Sequence, residues 1–238
     1  MWARAIDRGA RLAYLGPIAN PWTPRSAPSS MNPPQTTPPP RDYSAICPRL
    51  PDGPVELSSL CPDGAEIELE IGFGRGMFLI QRAASAPAAF LLGFEIKTKW
   101  AYLVEQRCAR EDLTNVRVIG GDVREIFPRL RPDGRIARAF MHFPDPWWKK
   151  RHAKRRLVGG EMLDELARLL RPGGEFFVQT DVEERADLHA VQVGQHPAFE
   201  LAGADGRIVD NPYAAVSNRE RRAIEDGLPI YRVLAHRR

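Results

Sequence analysis

The sequence from Ala65 onward predicts an α/β fold, a parallel sheet covered by helices on both faces. Three observations carry that expectation. Strand-like apolar runs alternate with helical runs, the pattern that packs a parallel sheet between two helix layers. A glycine-rich turn, Gly72-Phe73-Gly74-Arg75-Gly76, ends the first strand and opens the first helix. Each polar motif then falls at the carboxyl end of a strand, where open α/β sheets hold their ligands.

Taken in order, the elements fill this plan. Glu66 to Ile71 (EIELEI) reads as the first strand and Met77 to Ala84 as the first helix. Phe90 to Glu95 (FLLGFE) is the second strand. Lys97 to Glu111 follows as a helix with Trp100, Leu103 and Val104 on its apolar face. Val116 to Ile119 is a third strand, ending at Gly120-Gly121-Asp122, and Ile136 to Phe143 is the fourth. Gly160 to Leu170 is helical until Arg171-Pro172-Gly173-Gly174 stops it, because proline and glycine both interrupt helical bonding. Glu175 to Thr180 (EFFVQT) is the fifth strand, and Val182 to Val193 the helix after it. Phe199 to Ala202 and Ile230 to Leu234 close the sheet as an antiparallel pair.

At 238 residues the chain can bury one substantial core, and its 43% hydrophobic and 27% charged content is that of an ordinary globular protein. The net charge is only +4, so where the charge sits matters more than its total. Cys47, Cys61 and Cys108 are odd in number and include no C-x-x-C pair, which speaks against a disulfide framework or a zinc site and for a reducing cytoplasm. No run of about 18 apolar residues occurs, so no membrane span is expected. Residues 1–60 differ in kind: twelve of the 22 prolines lie between Pro17 and Pro54. Such a stretch buries too little apolar surface to offset its ordering entropy, and it is expected to be a disordered extension ahead of a domain at 61–238. Its Arg-rich, acid-poor opening has the cast of a transit peptide, with a dispensable tail or a start at Met31 as the plainer readings.

The glycine turn is not a dinucleotide fingerprint, which would place Gly or Ala where Met77 stands. Its third glycine comes one residue early, and Glu70 precedes the first. A carboxylate there serves a pyrophosphate poorly and a cationic amino or sulfonium group well, so Glu70, Gly72 and Gly74 point to S-adenosylmethionine rather than NAD. Glu95, closing strand two, suits two ribose hydroxyls, and its alternative is a surface carboxylate. Asp122 suits an adenine amino group beside Val123, and as an N-cap it suits the helix that begins there.

The segment Phe143 to Arg156, FPDPWWKKRHAKRR, is the most specific part of the chain. It sets Asp145 and two tryptophans between prolines, followed by six Lys/Arg within the eight residues Lys149 to Arg156. An acid beside flat aromatics fits a planar base with N–H edges, and a basic block fits the attached phosphates. Without the Pro-Asp-Pro-Trp element, such a run would read as a solvated surface loop.

With Gly93-Phe94-Glu95, Gly121-Asp122 and Gln179-Thr180-Asp181 in the same order and spacing, the chain resembles bacterial tRNA (guanine-N7)-methyltransferases from about Glu66 to its end. That resemblance implies a Rossmann-like class I methyltransferase with a seven-stranded, mostly parallel sheet and an antiparallel C-terminal strand. It implies S-adenosylmethionine contacts from Glu70, Glu95, Asp122 and Asp145, and contacts to a variable-loop guanine of tRNA from Lys149, Asp181 and Ser217, Asn218, Arg219 and Glu220. It also implies an RNA contact along Lys150, Arg151, His152, Lys154, Arg155 and Arg156, and no metal. The late T-x-x-E element appears here as Ser217-Asn218-Arg219-Glu220, with Arg219 where relatives often carry an aromatic ring. Asp181 and Glu220 have a second reading, as partners of neighbouring arginines. Asp145 is the expected catalytic group, either Trp147 or Trp148 stacking on the base or filling core. A methyltransferase for another RNA base or a small molecule, or a non-catalytic RNA-binding module, are the competing functions. Monomer and homodimer both remain open.

Overall fold

In the computed structural model, residues 42–144 and 158–238 are described. Strand β1 is Val55–Glu56, β2 Glu66–Ile71, β3 Ala89–Glu95, β4 Val116–Gly120 and β5 Leu130–Arg131. The rest are β6 Ile136–His142, β7 Leu170–Thr180, β8 Phe199–Leu201, β9 Arg207–Ile208 and β10 Tyr231–Arg237. Helices are α1 Met77–Ser85, α2 Thr98–Arg110, α3 Val123–Ile126, α4 Gly160–Leu169, α5 Glu183–Gln195 and α6 Asn218–Glu225. The main sheet runs β4-β3-β2-β6-β7-β10-β8, with β9 added against β10. Strands β4, β3, β2, β6 and β7 are parallel, and β10 is antiparallel to both β7 and β8. Sequence-adjacent strands step one way from β2 to β4 and the other way from β6 to β7. The order therefore reverses between β2 and β6, where a cleft opens at the carboxyl ends.

The expected elements form close to their expected limits. Two differences have physical causes. The strand expected to begin at Glu175 begins at Leu170, because the Arg171-Pro172-Gly173-Gly174 stretch bulges out between the Ile136–Leu170 and Arg138–Glu175 pairs. The extension expected to reach residue 60 is, over residues 42–60, part of the folded body. Val55, Leu57 and Leu60 are buried, and β1 pairs in parallel with β5. Prolines there do not prevent packing, since their carbonyls still accept: Gly120 donates to Pro48 O at 2.7 Å. Residues 1–41, including Met31, lie outside the described residues.

Central strands bury both faces, which explains how the polar string EIELEI forms one. Ile67, Leu69 and Ile71 enter the main core with Phe94, Phe127 and Leu166. Glu66, Glu68 and Glu70 point to the other face, under α1 and the loop before α6. On that face the side chains stack in three layers along the strands. At the amino end Glu68 is bound by Arg82 (2.7 and 2.8 Å) and Arg138 (2.8 Å), while Glu66 pairs with Arg138 (2.5 Å) and Arg171 (3.0 Å). Phe78, Phe140, Phe177 and Tyr213 form an aromatic middle layer. The third layer, at the carboxyl end, is polar again and faces the cleft.

Candidate active site

The cleft has a volume of about 480 Å3 and is lined by Glu70, the glycine turn, His142 to Pro144, Thr180 to Val182 and Ser217 to Arg219. That volume is in the range of small-molecule sites. Glycine shapes its floor. Gly72 and Gly74 have φ of 72° and 56°, and a Cβ on either would meet nothing within 4 Å. The backbone there takes a left-handed turn while leaving room for a ligand to lie against it. Glu95 holds this turn from below, one oxygen accepting from Gly74 N at 2.8 Å and the other from Lys97 N at 2.9 Å. Each carboxylate oxygen keeps a free lone pair for a hydroxyl donor.

Glu70 is the group the protein leaves unbalanced. It is 1% exposed, and its Oε2 has no hydrogen-bond partner. Among the described residues no arginine or lysine pairs with it. Burial, followed by the charge of Glu95, holds its carboxyl well above the usual value, and the Leu79 amide of α1 offsets only part of this. The contrast lies within one strand: Glu66 and Glu68 are neutralised by arginines, and Glu70, at the ligand edge, is not. An isolated buried carboxylate is costly, so its natural complement is a cation entering the cleft.

Opposite the glycine turn, Asp181 follows β7 and is bound by Arg219, the Nε donating at 3.0 Å. The partner-of-arginine reading of Asp181 is thus realised, and both side chains line the cleft. Asn218 turns an acceptor, Oδ1, that is buried and unpartnered. Ser217 caps α6, accepting from the Glu220 amide at 3.1 Å, and Glu220 returns the contact to Ser217 N, completing a capping box.

Glu220 itself corrects an expectation. It was assigned to the substrate, yet it is 0% exposed and its oxygens accept from Gln179 (2.8 Å), Arg232 (2.9 Å) and Asn211 (3.1 and 3.2 Å). Burial alone would raise its pKa, but the hydrogen bonds from Gln179, Arg232 and Asn211 outweigh it and hold the carboxyl below the usual value. Glu220 shapes the loop that carries Ser217 to Arg219 and does not reach the cleft. Asp122 stands farther out, at the end of β4. It caps α3 through the Arg124 amide at 3.0 Å and pairs with the Arg124 guanidinium, which holds its carboxyl below the usual range. Asp145, Trp147, Trp148, Lys149, Lys150, Arg151, His152, Lys154, Arg155 and Arg156 lie outside the described residues. The segment that holds them leaves from Pro144 on the cleft wall and returns at Val158 in the core. Phe143, just before it, takes φ 49°, a left-handed turn that a bulky residue rarely adopts.

The comparisons with known proteins agree with this geometry. Residues 65–233 match the family model described as "Putative methyltransferase". The tRNA (guanine-N(7)-)-methyltransferase of Anaeromyxobacter dehalogenans (strain 2CP-C) is 39% identical over 191 residues, covering 76% of this chain and 94% of the relative. That of Synechococcus sp. (strain JA-3-3Ab) is 38% identical over 178 residues, covering 74% of both. The chain belongs to the tRNA (guanine-N(7)-)-methyltransferase family. Among solved structures, the 16S rRNA methyltransferase KamB is similar with a TM-score of 0.53 at 19% identity, covering 76% of this chain and 92% of that one. At that identity the likeness concerns the fold, which is the class I methyltransferase fold.

Two residues of this methyltransferase had no role in the sequence reading: His142, which lines the cleft, and Gln179, buried behind it. His142 was read as the end of a strand and Gln179 as part of a family motif without a role. Strand alternation carries the signal that would have found them: counting by twos from Phe140 and Phe177 places both at the carboxyl end of the Glu70 face.

Proposed function

We propose that this protein transfers the methyl group of S-adenosylmethionine to N7 of a guanine in tRNA. The observation that carries this reading is Glu70, a buried carboxylate without a cationic partner at the foot of an open glycine turn. S-adenosylmethionine fits the residues present, and when bound it supplies a methyl group on a positively charged sulfur. Glu70 would balance the cationic end of this molecule, and Gly72 and Gly74 let the backbone lie against it. Glu95 has lone pairs for the ribose hydroxyls, and Asp122 and Val123 would take the adenine.

Guanine N7 carries its own lone pair, so the chain needs no base to remove a proton there. Its work is to hold N7 in line with the methyl and to balance the charge that the purine gains. Asp181 and the unpartnered Asn218 Oδ1 present acceptors of the kind that the guanine N1–H and N2–H2 edge requires. For Asp181 this means exchanging the Arg219 guanidinium for the base. Asp145 is assigned to the same edge, where a carboxylate binds the methylated, more acidic purine better than the free one.

Incubating unmodified tRNA with the protein and S-adenosylmethionine, then mapping N7-methylguanine, tests the reading. Methylation at one guanine is expected, and methyl on another base or on a small molecule alone would replace this function with its rivals. Asp145→Ala should lower turnover far more than tRNA affinity. Equal losses in both would remove Asp145 from the chemistry.

A further inference from the structure

The polar layer at the cleft end is a row across four strands. Glu70 on β2, His142 on β6, Gln179 on β7 and Arg232 on β10 share one sheet face, with His142 paired to Gln179 and Gln179 to Arg232 in the register. The Gln179 amide nitrogen lies 2.8 Å from Glu220 Oε2 and 2.9 Å from His142 Nδ1. Turning that amide over would set its carbonyl against a carboxylate, so Glu220 fixes which end is nitrogen. An amide nitrogen only donates. His142 Nδ1 therefore accepts, and the single proton of the neutral ring sits on Nε2.

That Nε2 is buried, has no hydrogen-bond partner, and stands 3.9 Å from Glu70 Oε1. The gap is too long for a direct hydrogen bond. It is also too short for a bridging water, since two hydrogen bonds of about 2.8 Å span roughly 4.5 Å. An unpartnered Nε2–H thus faces a buried carboxylate, whose other oxygen, Oε2, is itself without a hydrogen-bond partner, across a distance that a small movement of Glu70 would close. Phe78 and Phe177 hold the imidazole ring in place, with centroids 4.1 and 5.9 Å away. Burial keeps the ring neutral, its pKa held down at about 3.

We infer that His142 is a positioning residue for the cofactor: its Nε2–H closes on Glu70 when a cation engages the other carboxylate oxygen, and Gln179 sets its tautomer from the α6 capping box. The consequence is coupling. The Glu220 box orders Ser217 to Arg219 on the substrate wall, and the same carboxylate, through Gln179 and His142, orients the acid on the cofactor wall. The inference rests on the assignment of Glu70 to S-adenosylmethionine.

Calorimetric titration of S-adenosylmethionine into the full chain tests it. His142→Phe keeps the ring packing and removes both nitrogens, while Gln179→Met keeps the imidazole and removes its tautomer-setting donor together with the hydrogen bond to Glu220. Each should weaken cofactor binding by about tenfold. The double variant should bind no more weakly than His142→Phe alone, because both changes break one relay. A merely structural role would instead lower both affinities independently, so that the two losses multiply. Multiplying losses, or a His142→Phe protein that binds as the parent does, would overturn the relay. Should His142→Phe not fold, Gln179→Met alone decides, with unchanged affinity as the overturning result. A parent that binds no S-adenosylmethionine removes the assignment of Glu70 itself, which is a different failure.

Discussion

At the scale of single residues, the site is defined by where the protein declines to neutralise a charge. Glu70 needs a cation to be comfortable as a carboxylate, and its pKa stands well above the ordinary 4.5. Only the ionised form can pair with the cationic end of S-adenosylmethionine. Affinity should therefore rise with pH through the raised pKa of Glu70, and binding should release a proton. Calorimetry in buffers of different ionisation enthalpy measures that release directly; Glu70→Gln should bind weakly with no such proton. His142 gives a second pH signature, in stability. Its folded pKa, about 3, lies below the ordinary 6.5, so the unfolded chain binds the extra proton first and stability is lost as pH falls. Between pH 7 and pH 5 this one ring should cost about 2 kcal/mol. Denaturant melts of the parent and His142→Phe at both pH values check it: the variant should lose less, and equal losses would mean the ring is not buried neutral.

At the scale of elements, α6 shows what the sequence made legible and what it did not. Ser217 and Glu220, three apart, spell a capping box, yet the resemblance drew Glu220 toward the substrate. Linear sequence does not show that Gln179, Asn211 and Arg232, all distant along the chain, converge on that carboxylate. Glu68 is a similar case. In EIELEI the strand was plain, but its neutralisation by Arg82 and Arg138, and hence the isolation of Glu70, depended on residues 14 and 70 positions away. Ser217→Ala should remove the cap and cost about 1 kcal/mol, lowering Tm by about 3 °C. Arg219→Ala breaks an exposed ion pair and should change stability by less than about 0.5 kcal/mol. It should nevertheless alter kcat/KM for tRNA, since Asp181 no longer has a competing partner. Thermal melts beside single-turnover methylation separate the two effects, and an Arg219→Ala enzyme with unaltered kcat/KM would show that the pair does not sit in the path of the base.

At the scale of the whole molecule, the succession of strands and helices along the chain could be read because the two alternate with strong periodicity and glycine-rich turns such as Gly72 to Gly76 and Gly120-Gly121 mark strand ends. The packed stretch from residue 42 to 60 could not, since prolines look alike whether they solvate or pack, and it is the burial of Cys47, Val55, Leu57 and Leu60 that distinguishes it. The charge is as uneven as the punctuation. With a net charge of +4 overall, the chain concentrates six cations between Lys149 and Arg156. They follow Pro144 in the chain, and Pro144 lines the cleft. If about four of the six pair with phosphates, log affinity for tRNA should fall against log salt with a slope near −3. Arg155→Ala with Arg156→Ala should then flatten the slope by roughly 1.5, because each lost phosphate contact retains its counterion. The same double change should leave S-adenosylmethionine binding untouched, since Glu70 and the glycine turn take no part in phosphate contact. Filter binding between about 50 and 200 mM salt covers the range in which such a slope is measurable. A slope near zero in the parent would detach the basic block from the RNA and leave the cleft to recognise its guanine through the base alone.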